Sequence, residues 1–287
     1  MLGHAACLVL RTEHSVFGTC RGSFGDHPRL AAFLPLEYCI EGFEVGTPGS
    51  LERAFDLARP DLVLNCIGVV KQKHEGKQAV PSIRINALFP HELAAFCDSA
   101  DAKMIQVSTD CVFSGRKGGR DETALPDPVD LYGRSKLLGE VTHPPHLTIR
   151  TSIIGRELAT ATGLLEWFLA NRGGRVKGYT NAIFSGLTTR ALVRVLAQAL
   201  AASPGLTGLY HVASEPVNKY DLLVQVNEAF GLGVDVERDG GFRCDRSLNG
   251  QRFVAETGIR IPGWSEMIDD LKGERREYEL DQQSSTR

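Results

Sequence analysis

The chain has 287 residues, 43% hydrophobic and 23% charged, which suits an ordinary globular protein of one large or two modest domains. A formal net charge of −3 gives no electrostatic reason to expect nucleic acid or an anionic membrane surface as a partner. Seven cysteines without a Cys-x-x-Cys pair, and no apolar run approaching the ~20 residues that span a bilayer, point to free thiols in a soluble cytoplasmic protein.

Apolar and charged stretches alternate in the rhythm of a strand-helix-strand sheet. Residues 3–11 read as a helix and 15–20 as a buried strand. The short apolar stretch 5–10 is followed by charge and is no signal peptide. Ser50 caps a helix through Ala58, stopped by Pro60. A strand over 61–66, a helix over 82–100 and a strand over 103–107 follow. A helix over 131–141 and a strand over 146–154 continue a parallel, doubly wound α/β sheet. After Gly155 the pattern changes. An amphipathic helix spans 163–171, and a longer helix over 189–202 returns to the sheet. A strand over 209–213, a helix over 219–230 and a strand over 233–238 come next. From Gly273 onward the sequence is charged and polar, as in a disordered tail.

The chemistry concentrates between Val107 and Lys136. Val-Ser-Thr-Asp-Cys-Val-Phe-Ser-Gly fills 107–115, Asp-Glu-Thr fills 121–123, and Asp-Pro-Val-Asp-Leu-Tyr-Gly-Arg-Ser-Lys fills 127–136. On a helix over 131–141, Tyr132 and Lys136 stack on one face, one turn apart. That pair suits proton transfer to or from a sugar or alcohol oxygen. Tyrosine ionises near pH ~10, and a neighbouring ammonium favours the phenolate. The Thr109 hydroxyl can hold the substrate oxygen. A bare Tyr-x-x-x-Lys is common by chance; behind a strand ending Ser-Thr-Asp it is specific.

At these residues the chain resembles the extended short-chain dehydrogenase/reductases, and within them the dTDP-4-dehydrorhamnose reductase branch. That branch carries Ser-Thr-Asp-aromatic-Val-Phe-x-Gly, matched here except for Cys111 at the aromatic position. The resemblance covers residues 1–271. It implies a Rossmann-type dinucleotide-binding domain over 1–155, with 189–213 returning to it. A smaller interleaved substrate lobe would comprise 156–188 and 214–272, with a tail over 273–287. The implied activity is NADPH-dependent reduction of the 4-keto group of a nucleotide-activated deoxysugar, for cell-surface polysaccharide biosynthesis. The catalytic residues would be Thr109, Tyr132 and Lys136, and the resemblance also allows a homodimer. Two other readings stay open. One is a sugar-nucleotide epimerase or dehydratase using the same triad with NAD. The other is a non-catalytic NADP-binding subunit, as in a regulatory relative of methionine adenosyltransferase.

The family opens with a buried strand and a Gly-x-x-Gly-x-x-Gly turn that carries the cofactor pyrophosphate. Here Leu2 and Gly3 match only its end, so about a dozen residues are expected to be missing, including the first strand of the sheet. A start codon placed too late explains this better than a real loss; as written, the chain is expected to hold cofactor poorly. Arg21 stands where the family reads the adenosine ribose, and an arginine can pair with the 2′-phosphate. NADPH is therefore favoured, with NADH allowed. Cys66, Ile67 and Gly68 end a strand beside the cofactor, Ser108 lines its side, and Ser152 lies by the nicotinamide. Asp110 either contacts substrate or turns the chain. Cys111, Ile153 and Arg246 complete the substrate-side set, and Arg243 and Arg252 are further diphosphate candidates. A tryptophan expected at Ile153 in rhamnose-type members is absent. Asn86 is expected to tie helix to strand. The basic run Lys71, Lys73, His74 and Lys77 either meets a diphosphate or is a solvated face. The eight histidines show no metal-ligand spacing.

Overall fold

Strand and helix alternate through the first half of the chain in a computed structural model that describes residues 1–70, 78–158, 162–273 and 278. Helix α1 (Leu2–Leu10) buries Leu2, Ala5 and Ala6. Strands β1 (Gly18–Thr19) and β2 (Cys39–Ile40) form a parallel pair. Helix α2 (Ser50–Ala58) ends at Arg59, which takes a left-handed conformation just before Pro60. Strand β3 (Leu62–Asn65) precedes a long helical run of α3 (Ala79–Ser82), a π-helical segment Ile83–Leu88, and α4 (Phe89–Ser99). Strand β4 (Lys103–Val107), helix α5 (Leu131–Leu138) and strand β5 (Leu147–Arg150) follow.

The second half begins with β6 (Ile153–Ile154), α6 (Leu164–Ala170) and β7 (Arg175–Phe184). Then come β8 (Leu187–Thr188), α7 (Thr189–Ala202), β9 (Gly208–His211) and β10 (Val217–Asn218). Helix α8 (Lys219–Phe230), strand β11 (Asp235–Asp245), α9 (Gln251–Thr257) and α10 (Trp264–Gly273) close the chain.

The main sheet has the order β3-β4-β5-β9 and is parallel throughout. Such sheets are covered on both faces, which is why Leu147 and Ile149 of β5 are fully buried. Helix α7 turns Leu192, Val193, Val195, Leu196 and Ala199 into the same core. Its start is fixed by the Thr188 side chain, which accepts from the Ala191 N–H. On another face, Phe89, Leu93, Ala94 and Cys97 of α4 pack with Met104 of β4. A second sheet, β10-β7-β11, pairs β7 antiparallel with β10 and parallel with β11.

Several expected boundaries move for physical reasons. The strand expected over 15–20 narrows to Gly18–Thr19, since its ladder runs to β2 alone among the described residues. The helix over 131–141 stops at Leu138, because Gly139 packs so tightly that a Cβ there would lie 2.0 Å from the Asn86 carbonyl oxygen. The strand over 146–154 splits after Arg150, and Ile153–Ile154 pairs with β8 instead. Beyond the helix at 163–171 lies β7, which the sequence reading does not contain. Its partner β11 runs on to Asp245, past the expected end at 238, through a register shift between Asp239 and Arg243. Lys71, Lys73, His74 and Lys77 lie outside the described residues, as does most of 273–287. Tyr278, within that stretch, is buried, and its hydroxyl lies 2.6 Å from His4 Nε2. Among the described residues, no helix is long and apolar enough to cross a membrane.

Candidate active site

The end of β4 builds the centre of the site. After Val107 the chain stays extended through Thr109 and then enters a short helical turn, Asp110–Val112. The Thr109 hydroxyl accepts from the Cys111 N–H at 3.1 Å and donates to Asp110 Oδ1 at 3.1 Å. Helix α5 faces this turn. Asp130 caps it by accepting from the Gly133 N–H at 2.8 Å. A Cβ at Gly133 would lie 2.2 Å from the Cys111 carbonyl oxygen, so glycine is what lets α5 press against the turn. That approach brings the Tyr132 phenol into hydrogen-bonding reach of Thr109. One turn further on, Lys136 is 6% exposed, and its Nζ donates to the Val107 carbonyl at 2.5 Å.

Burial dominates the protonation of both groups. It pushes the Tyr132 phenol well above its ordinary value, with Cys111, Asp110 and Asp130 adding to the effect and the Thr109 hydrogen bond opposing it. The sequence leads one to expect Lys136 to favour the phenolate; in the fold the phenol lies above its ordinary value, with desolvation by burial the largest cause. Lys136 itself falls from 10.5 to about 8 through burial, with Glu140 and Cys66 opposing the fall. At neutral pH Tyr132 carries its proton, and so it can act as a donor.

The residues expected on the cofactor side lie around the ends of β1 and β3. The Leu2 side chain is packed in the core, which leaves its backbone as the part able to face a ligand. Gly3 lies in the first turn of α1, where a Cβ would sit 3.6 Å from that of Cys66. Cys66 is solvent-exposed, yet enclosing protein pushes its thiol up to about 12, as in a cleft. The Ile67 N–H is tied to Asn65 Oδ1 at 3.1 Å. Gly68 is exposed and abuts the Asn86 side chain. Asn86 ties helix to strand: it accepts from the Val69 N–H and donates to the Val69 carbonyl, both at 2.9 Å, and it also reaches Ser135. Arg21 is exposed after β1, and its carbonyl meets the His27 ring. The Ser108 hydroxyl is directed at Glu140, donating to Oε1 at 2.6 Å. The Ser152 carbonyl accepts from the Leu187 N–H.

On the substrate side, a C-terminal loop folds back over the turn after β4. Arg246 donates to the Phe113 carbonyl at 3.0 Å and to Cys111 Sγ at 3.3 Å. Burial opposes its charge, but Cys111, Cys244, Asp110 and Asp130 together hold it above its ordinary value. Thr109, Asp110, Cys111, Tyr132 and Arg246 thus converge on one turn. Ile153 is half-buried in β6, which pairs with β8. Arg252 is committed to Glu256 and lies over the Tyr210 ring, whereas Arg243 is exposed on β11. Phe168 is fully buried core.

A buried ionic network beneath the site has no counterpart in the sequence reading. Arg150 grips both oxygens of Glu140, at 2.8 and 2.7 Å, with the two side chains 4% and 7% exposed. His211 lies 3.4 Å from Arg150 and is lowered to about 4, chiefly by burial and then by that guanidinium. Its backbone N–H donates to Glu122, from the Asp-Glu-Thr segment. The spacing of Glu140 four residues beyond Lys136 was the available signal.

Among the described residues, one group of possible metal ligands, Asp98, His143 and His146, brings its donor atoms within 4.8 Å of one another. His146 Nδ1 accepts from the Met104 N–H at 3.1 Å, so the neutral ring carries its proton on Nε2, which faces Asp98. That nitrogen has no lone pair to offer a metal.

A family model described as RmlD substrate binding domain matches residues 38–237. A dTDP-4-dehydrorhamnose reductase of Mycolicibacterium smegmatis is 32% identical over 237 residues, covering 75% of this chain and 70% of that protein. The probable low-salt glycan biosynthesis reductase Agl14 of Haloferax volcanii is 30% identical over 167 residues, and the match spans 54% of each chain. This chain therefore covers only about half the length of that relative. In fold, the chain is similar to the dTDP-4-dehydrorhamnose reductase of Bacillus anthracis crystallised in complex with NADP. The TM-score is 0.73 at 20% identity, over 90% of this chain and 98% of that one.

Proposed function

This chain belongs to the family of the RmlD substrate binding domain, and on that premise we propose that it reduces the 4-keto group of a nucleotide-activated deoxysugar with NADPH. The setting would be the cytoplasm, in the making of a cell-surface polysaccharide. The observation that carries the reading is the grouping of Thr109, Tyr132 and a buried Lys136 at the end of β4, with the phenol held in its protonated form.

NADP fits the residues around the strand ends. Arg21 is exposed and could meet a 2′-phosphate, and Gly3 and Gly68 carry no side chain to hinder a close backbone approach. The bound nicotinamide supplies hydride. Thr109 orients the keto oxygen by hydrogen bonding, and Tyr132 gives its proton to that oxygen as negative charge develops there. Lys136 uses one of its three N–H donors on the Val107 carbonyl, leaving two for ribose hydroxyls. Its charge also offsets the phenolate left behind. Arg246 is aimed at the same turn, where a sugar diphosphate would need a cation. A dehydratase would place a second acid after the threonine–aspartate pair. Cys111 stands there instead, its sulfur accepting from Arg246.

The test is NADPH consumption with a dTDP-4-keto-6-deoxysugar, compared with the same sugar nucleotide already reduced at C4. Turnover with the first alone supports the reading. No turnover with any nucleotide-linked 4-ketosugar, from protein that binds NADPH, would remove it.

A further inference from the structure

Lys136 is a buried cation with one hydrogen bond to a neutral carbonyl, and burial favours loss of its proton. An anion nearby has to oppose that loss. Helix α5 ends at Leu138, and the tight packing of Gly139 against Asn86 turns the chain so that Glu140 points back at β4. Lys136 then holds the Val107 carbonyl at 2.5 Å while Glu140 receives the Ser108 hydroxyl at 2.6 Å. The two side chains hold consecutive residues of one strand end, which places the Glu140 carboxylate where its charge acts on Lys136.

We infer that Glu140 is a positioning residue for Lys136: its carboxylate, fixed by Arg150 and Ser108, keeps the lysine charged and seated at the end of β4. Arg150 alone would make Glu140 a closed structural pair, since its fork takes both carboxylate oxygens. The Ser108 bond ties that pair to the strand end that carries Lys136. Other elements also bring charged or titratable groups to this place. Cys66 faces Lys136 from the end of β3, with Cys7 of α1 behind it. Tyr132 and Asp110 lie at the substrate side, and Arg150 comes from β5. His211 of β9 stands beside Arg150 and is held neutral. Cys66, pushed up to about 12, is uncharged at neutral pH, so the Glu140 carboxylate is what opposes the effect of burial on Lys136.

The inference rests on the reductase reading for its meaning, but its test does not depend on turnover. The lysine Nζ resonance of the full chain is titrated by NMR, assigned by its loss in Lys136→Met. Glu140→Gln alone would strand a buried guanidinium and lower stability whatever its role. The decisive variant is therefore Glu140→Gln with Arg150→Met, which removes the charge pair together. It is expected to melt close to the parent, yet Lys136 should titrate about one pH unit lower. Glu140→Asp keeps both charges and withdraws the carboxylate by one methylene; it should move the titration part of the way. The high-pH limb of the NADPH-reduction profile should shift down in step. An unchanged Lys136 titration in either variant overturns the inference. A shifted titration in a protein that reduces no ketosugar would leave the inference standing and sink the reductase reading.

Discussion

Replacing Lys136 by Met should make the protein more stable while destroying its proposed activity. Burial lowers the ammonium from 10.5 to about 8. At ~1.4 kcal/mol per pH unit, holding this cation inside the folded protein costs roughly 3 kcal/mol at neutral pH. Methionine has similar length and no charge to desolvate. The Val107 carbonyl loses its donor, which gives back about 1 kcal/mol, so the net gain should be about 2 kcal/mol. The pH dependence makes the test specific. The folded value lies below the unfolded one, so the penalty is full below about pH 8 and fades as pH rises to 10.5, where both states shed the proton. Urea unfolding of both proteins across that range measures it. The advantage of the methionine variant should be largest near pH 7 and shrink by about pH 10. A variant less stable than the parent at pH 7, or a gap that ignores pH, would refute the reasoning.

Asn86→Ala should cost about 2–6 kcal/mol, because it strands the buried Val69 N–H and carbonyl, each worth about 1–3 kcal/mol; a denaturant midpoint within experimental error of the parent would contradict this. Arg21→Asp should exchange a preference for NADPH for one for NADH, read by titrating both cofactors into both proteins; equal affinities throughout would remove Arg21 from that role. Burial holds His4 at about 3 and His211 at about 4, against 6.5 when exposed. The unfolded chain therefore takes up protons that the folded one refuses, and stability should fall as pH drops from 6.5 towards 4. Urea midpoints that stay flat across that window would show these rings are not buried as described.

Local signals explain what could be read ahead of the structure. Helix α7 begins where Thr188 caps it, and α8 where Asn218 accepts from the Asp221 N–H; both starts carry side chains suited to that task. Strand β4 is short and rich in Met, Ile and Val, and the Ser-Thr-Asp run follows it directly. Strand β7 is not legible in the sequence because Gly178 and Asn181 interrupt its pattern, and β10 and β11, both later in the chain, hold it in the sheet. The Tyr132–Lys136 pair is a spacing on one helix and is visible in sequence. The Glu140–Arg150–His211 network joins the loop after α5 to β5 and β9, and apart from the spacing of Lys136 and Glu140 it has no local pattern. The protonation of Tyr132 is legible only in part for a related reason. A neighbouring lysine can be seen in sequence, whereas the desolvation that raises the phenol appears only when α5 is packed on the turn after β4.

The most direct test of the whole account is Tyr132→Phe, measured by single-turnover reduction of a nucleotide-linked 4-ketosugar with NADPH bound. The ring can still pack, so the melting temperature and NADPH affinity should stay close to the parent. The reduction rate should fall by about 10²–10⁴-fold, the usual worth of a positioned general acid. A rate within threefold of the parent, in protein that folds and binds NADPH normally, would contradict the assignment of Tyr132 as the proton donor.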